Sequence, residues 1–247
     1  MKKLIIVSGN FTKLGHFRGY TALGQYVHIF DRQMKGLGYA KGENENVKFP
    51  FFVNAEPKSY AARLNEKGEV AFSKLEKKRA DLDNYVAYVA KVGPKSNPVQ
   101  FEDKDVLLAH YLNSYNALSM YNILDSEIPD SLSGLKKVKF FYFKKFVIDG
   151  QEMSLYAYEN DVIRKMGEER VHFALNCMSK GCPRLPRVPF TGKKLNQELE
   201  AQAKFFFSEE RNVGINEAEK EVRLSEILNF FPDDFLKKAP NLVAYAN

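Results

Sequence analysis

The stretch from Asp105 to Leu124, DVLLAHYLNSYNALSMYNIL, most narrows what this chain can fold into. Its apolar residues follow helical spacing and occupy more than one side, which predicts a central, buried helix. Asp103 or Asp105 can cap its start, and Pro129 stands just beyond its end near Leu124. Asn113 and Asn116 are three positions apart and share a face, with Ala109 and Met120 above and below them. A buried amide without a partner costs about 1–3 kcal/mol, so both need hydrogen bonds. They either pin the backbone of a neighbouring loop or orient a reacting group or substrate.

Chemistry concentrates in a second stretch, Val171 to Leu185 (VHFALNCMSKGCPRL), which holds His172, Asn176 and both cysteines of the chain. The run Val171–Cys177 is short, apolar, and followed by Ser, Lys, Gly and Pro, so it reads as a strand ending in a tight loop. Strand alternation would put Cys177 on an apolar face with Phe173 and Leu175, as a small buried hydrophobe, and His172 and Asn176 on the other. Cys182, in the Gly-Cys-Pro loop, is then the better candidate for a reactive thiol. Four residues separate the cysteines, which also permits a disulfide if their Cα atoms come within about 7 Å. That spacing is not the CxxC of a redox catalyst, so a structural disulfide of an exported protein is the form this alternative takes.

Elsewhere the pattern predicts a helix from Asp81, carrying Leu82, Tyr85, Val86 and Val89 and stopped by Gly93-Pro94. Val138–Ile148 (VKFFYFKKFVI) reads as a strand, and Asp149-Gly150 as the turn of a hairpin. Ser154 can cap a helix through Met166, ended by Gly167, on which Glu159 and Arg164 are either an ordinary charge pair or parts of a site. Thr191 can cap a helix with Leu195, Leu199 and Phe206; Val213–Leu224 is a short hairpin; Ser225 caps a last helix ending at Pro232. Residues 1–67 are the least patterned and read as an N-terminal extension packed on a main domain of residues 68–247.

Of the 247 residues 45% are hydrophobic, ample for a sizeable core. The net charge of +6 is spread along the chain and interleaved with acids, without a nucleic-acid motif, so no nucleic-acid partner is expected. Two cysteines and His172 fall short of a four-ligand zinc site, and neither metal nor cofactor is expected. The apolar run Leu4–Val7 is too short for a secretory signal, and no window reaches the roughly eighteen apolar residues of a transmembrane segment. The default expectation is therefore cytoplasmic, with a periplasmic or secreted location following if a leader has been removed.

Four motifs then stand in order: YLNSYNAL from Tyr111, SLYAYENDVIR from Ser154, VHFALNCMSKGCPRL from Val171 and VRLSEILNFFPDDF from Val222. With GEVAFSKL from Gly68, they resemble the bacterial, plant and nematode family called domain of unknown function 547. Departures from its usual residues fall at His110-Tyr111, at Asn160, where the family often has His, and at Arg184, where it often has Pro. The family in turn resembles papain-like and transglutaminase-like thiol enzymes. The resemblance implies an α+β fold, with the central helix packed on a mainly antiparallel sheet.

A thiol enzyme needs a thiolate, an imidazole to generate it and a polar group to fix that imidazole. Cys182 is the candidate nucleophile and His172 the base and later acid. Asn113, Asn116, Asn176 and Glu159 are candidate orienting groups, and Asn176, Cys177 and Arg164 are candidate binding residues. The expected reaction is cysteine-dependent hydrolysis or acyl transfer on a peptide, small amide or thioester. A non-catalytic interaction module, with the same Cys, His and Asn residues satisfying buried polar groups, is the alternative.

Overall fold

The computed structural model describes residues 3–7, 70–77, 79–129, 134–179, 181–186 and 189–246. Their elements are β1 (Lys3–Val7), α1 (Phe72–Glu76), α2 (Ala80–Val89), α3 (Lys104–Asp125), α4 (Gly134–Val138), β2 (Lys145–Ile148) and β3 (Gln151–Ser154). There follow α5 (Leu155–Ala157), α6 (Leu195–Ser208), β4 (Val213–Asn216), β5 (Glu221–Ser225), α7 (Glu226–Phe230), α8 (Pro232–Phe235) and α9 (Leu242–Tyr245). The run FPFFV and the rest of the expected extension apart from β1 lie outside the described residues. The fold is α+β, with helix dominant.

α3 is the helix expected from the sequence. The Asp103 carboxylate accepts from the amides of Asp105 (2.8 Å) and Val106 (3.1 Å), satisfying donors the first turn leaves open. Every residue from Leu108 to Met120 is buried. Such burial needs neighbours on all sides, and α1, α2, the helical stretch after Ser154 and α6 supply them. Among the described residues the strands do not gather into one sheet beneath this helix. Strands instead form the β2–β3 hairpin and a three-stranded sheet in the order β1-β5-β4, in which β1 runs parallel to β5 and β4 antiparallel.

The β2–β3 turn is made by Asp149 and Gly150, both at positive φ (49° and 74°), as a tight hairpin requires. Asp149 also ties this turn to the loop after α2, since its carboxylate accepts from the amides of Lys95 (2.6 Å) and Ser96 (3.1 Å). Gly93 must be glycine for that approach: a Cβ there would lie 2.6 Å from Asp149 Cβ.

Three sequence expectations are corrected. Val138–Ile148 is a strand only from Lys145; Lys139–Phe143 is a π-helical turn continuing α4. The Asn122 amide, on the next turns of α3, donates to the Phe140 carbonyl (3.0 Å), and the Lys144 amide closes onto Lys139 (2.9 Å). The second correction concerns Val171–Cys177, whose first residues form a 3₁₀ helix, Glu169–Phe173. Strand alternation therefore does not govern its side chains. The helix capped by Ser225 does stop at Phe230, short of Pro232, but it is not the last, because Pro232 opens α8, where its missing N–H costs nothing.

His110, on α3, is a buried histidine whose ring nitrogens have no hydrogen bond to a described residue. It packs instead on Phe101, ring centroids 4.7 Å apart. Burial lowers its pKa to about 4, against a smaller opposing pull from Asp149. Because the unfolded chain takes up this proton first, near the ordinary pKa of about 6.5, stability should be intact above that pH and fall towards pH 4. Urea unfolding at pH 7 and pH 5 should show that His110→Phe reduces the loss by about 2 kcal/mol relative to the parent. An unchanged loss would assign the acid sensitivity elsewhere.

Candidate functional site

Beside α3 lies an open cleft of about 410 Å³ whose walls bring together Glu159, Arg164, His172, Cys177 and Cys182. Five of the residues singled out in the sequence thus share one surface. Asn113, Asn116 and Asn176 have other work.

Asn113 donates to the Phe190 carbonyl (2.9 Å) and accepts from the Phe190 amide (3.1 Å). Asn116 does the same across two residues, donating to the Ala174 carbonyl (3.0 Å) and accepting from the Asn176 amide (2.8 Å). Each side-chain amide therefore mimics a neighbouring strand for a backbone that has none. Asn176 continues the pattern, donating to the Pro183 carbonyl and accepting from the Met178 amide, both at 2.7 Å. These three amides hold the backbone of the cysteine loop and of Phe190, which is the loop-pinning alternative of the two open for the helix pair. Close approach of α3 to the loop after Phe190 also demands Gly192, where a Cβ would meet the Val106 Cα at 2.9 Å.

Within the loop, Cys177 and Cys182 are joined by a disulfide, with Cα atoms 6.3 Å apart. Their exposure reverses the sequence expectation. Cys182 is buried and Cys177 half-buried, because the segment is not a strand and the loop folds Cys182 back under it. The Cys177 amide and the Ser179 hydroxyl each lie 3.2 Å from Cys182 Sγ. Arg211 fixes the far side of the loop by donating to the Cys182 carbonyl (3.2 Å), and is itself paired with Glu209, as is Arg184.

His172 is held by residues distant in sequence. Its Nε2 lies 2.8 Å from Asp234 Oδ2, and its ring stacks on Phe231 at 4.0 Å. Arg164 reaches the same carboxylate oxygen at 2.7 Å and covers the Phe231 ring, its guanidinium 4.7 Å from the ring centroid. Burial alone would raise the Asp234 pKa, but hydrogen bonds from Arg164 and then His172 outweigh it and hold the carboxyl below its ordinary range. Burial also lowers His172 to about 4 despite the Asp234 bond, so the ring is neutral near pH 7. An ionised carboxylate can only accept; the ring hydrogen therefore sits on Nε2 and the basic lone pair on Nδ1.

Glu159 completes the wall. It accepts from the Tyr115 hydroxyl of α3 at 2.8 Å, and burial raises its pKa, opposed by that bond and by Arg164. Arg164 does not pair with it but donates to Asn160 Oδ1 (2.7 Å) and Asp234. Sequence reasoning missed Asp234, Ser179 and Tyr115. The two acids after Pro232 were the available signal for Asp234, obscured by reading Pro232 as a helix end. Among the described residues, no three His, Cys, Asp or Glu side chains are grouped as metal ligands.

No helix of the described residues is long and apolar enough to cross a membrane. No curated protein and no solved structure matches the chain. Residues 99–207, which carry α3, Glu159, His172 and the cysteine loop, match the model of the family described as Protein of unknown function, DUF547.

Proposed function

We propose that the cleft performs thiol-dependent acyl transfer on an amide or thioester, with Cys182 as nucleophile and the cysteine pair reduced in the working form. The observation that carries this reading is the setting of Cys182 Sγ. Two donors, the Cys177 amide and the Ser179 hydroxyl, address it at 3.2 Å on a wall shared with His172. Donors of this kind favour a thiolate over a thiol. His172, fixed by Asp234 through Nε2, leaves its Nδ1 lone pair to accept a proton.

A dithiol reductant first supplies two electrons and two protons, opening the disulfide to two thiols. Cys182 then passes its proton to His172 and attacks the carbonyl carbon, forming a C–S bond. The C–N or C–S bond to the leaving group breaks, and the leaving group takes the proton from His172. Water cleaves the resulting thioester, giving the acid and restoring the Cys182 thiol. Likeness to papain-like and transglutaminase-like enzymes belongs to this proposal and supplies only its reaction class.

The disulfide itself favours a second reading, a binding cleft whose cysteines are purely structural. Alkylation by iodoacetamide separates the two. In a Cys177→Ser variant, which leaves Cys182 without its partner sulfur, Cys182 should react with a midpoint well below the ordinary thiol value of about 8.5. His172→Gln should slow that reaction near pH 7 by about tenfold. A midpoint near 8.5 that His172→Gln leaves unmoved would retire the enzyme reading and leave the binding cleft.

A further inference from the structure

The surface next to the cleft mouth combines exposed apolar side chains with lysines. Leu135 is 87% exposed, Phe143 71% and Tyr142 50%, and Val138 and Val147 are also exposed. Leu135, Val138 and Tyr142 follow one another at three- and four-residue steps along α4 and the π-helical turn, so they share a face. Tyr142 lies against the exposed Tyr156, ring centroids 4.5 Å apart, extending the patch towards α5. Scattered exposed hydrophobics need no account, but a contiguous group on one face does.

The same segment is cationic. Lys136, Lys137, Lys139, Lys144 and Lys145 lie between Gly134 and Ile148, and that span has no Asp or Glu. Lys144 is paired with Asp125. Lys136, Lys139 and Lys145 are exposed beside the apolar side chains. Lys136 and Lys139, with Lys144, also border a pocket of about 280 Å³ at the end of α3, which Asp125 and Glu127 share.

We propose that this face docks on the surface of an anionic lipid bilayer. Lysines at the rim meet lipid phosphates and headgroup carboxylates, and Leu135, Val138, Tyr142 and Phe143 enter the boundary between headgroups and acyl chains. Beside its aromatics the patch exposes Leu135, Val138 and Val147, aliphatic area that suits acyl chains and that a nucleic acid held by aromatic stacking would leave unused. Helix α4 lies on such a surface rather than spanning it, in keeping with its five residues. Because Lys137, Phe141, Tyr142 and Tyr156 also line the cleft, the docked face carries the cleft mouth. Docking itself is independent of any chemistry in the cleft.

The test is co-sedimentation of the full chain with vesicles of phosphatidylcholine alone, or with about one lipid in three replaced by phosphatidylserine. Binding to the anionic vesicles, weakened by raising salt from about 0.1 M to 0.5 M, is the expected result. Leu135→Glu with Phe143→Glu should lower that binding about tenfold or more with an unchanged thermal midpoint, since both side chains are exposed. Lys136→Glu with Lys139→Glu provides a second, independent loss of about tenfold. Absence of binding to the anionic vesicles would overturn the proposal. So would binding indifferent to the Leu135 and Phe143 changes, or binding to single-stranded RNA with none to vesicles.

Discussion

An Asn116→Ala protein should be less stable than its parent by about 4 kcal/mol, with a thermal midpoint lower by roughly 10 °C. The alanine is an excellent helix residue, so α3 itself loses nothing by the change. What is lost lies across the interface. The Ala174 carbonyl and the Asn176 amide keep their positions against α3 but have no acceptor or donor facing them. Each buried backbone group so orphaned costs about 1–3 kcal/mol, and the shortened side chain leaves a small void besides. Differential scanning calorimetry gives the value directly. Asn116→Asp is the informative companion, because it retains the acceptor for the Asn176 amide and turns its other oxygen towards the Ala174 carbonyl. It should be at least as destabilised as the alanine variant near neutral pH and recover on acidification as the carboxylate gains a proton. A loss below about 1 kcal/mol for Asn116→Ala would mean that water replaces the amide and that the clamp is not structural.

Asp234→Ala should cost about 3 kcal/mol and loosen the walls around His172. One carboxylate oxygen serves both Arg164 and His172, and its removal leaves the Arg164 Nε and a buried imidazole without an acceptor, while Arg164 keeps only its bond to Asn160. Exposure of the carboxylate is only 15%, so solvent screens the loss little. Its pH dependence has a definite sign. Since the folded Asp234 pKa lies below the ordinary carboxylate value, the stability it contributes is complete above about pH 4 and is lost as the pH falls through the lower folded value. The variant should therefore differ most from its parent at neutral pH and converge on it in acid. Chemical unfolding at pH 7 and at pH 3 measures this; a deficit that grows on acidification would show that the pair does not stabilise the fold. Asp234→Asn, which keeps an oxygen for one donor, should fall between the two.

Where the chain carries its own local instructions, the sequence could be read well. The Asp103 cap, the Asp149-Gly150 turn, the Ser154 cap, the left-handed Gly167 after Met166 and the β4–β5 hairpin are all set by a few adjacent residues. The misread segments are those whose backbone is satisfied from far away. VKFFYF and VHFALNC have the β-branched and aromatic composition of strands, yet they begin as helical turns, and the Phe140 and Ala174 carbonyls and the Asn176 amide are met by Asn122 and Asn116 of α3 rather than by a neighbouring strand. The same distance hid Asp234, sixty-two positions from the histidine it holds. Five candidate residues converge on one cleft and three hydrogen-bond the backbone, a division that residue type alone could not make because the amide of Asn suits either task.

The clamps on α3 also bear on the order of assembly. A helix forms from local contacts, whereas bonds joining positions 58, 60 and 77 apart must wait for the chain to return. A helix with apolar residues on more than one side would pair readily with a second chain whenever that surface is open. Asn113, Asn116 and Asn122 make that premature pairing unfavourable, since a foreign apolar surface would bury their amides without partners. The residues that fasten the finished fold thus also select its contents, since they favour the one backbone that can satisfy them over any purely apolar surface.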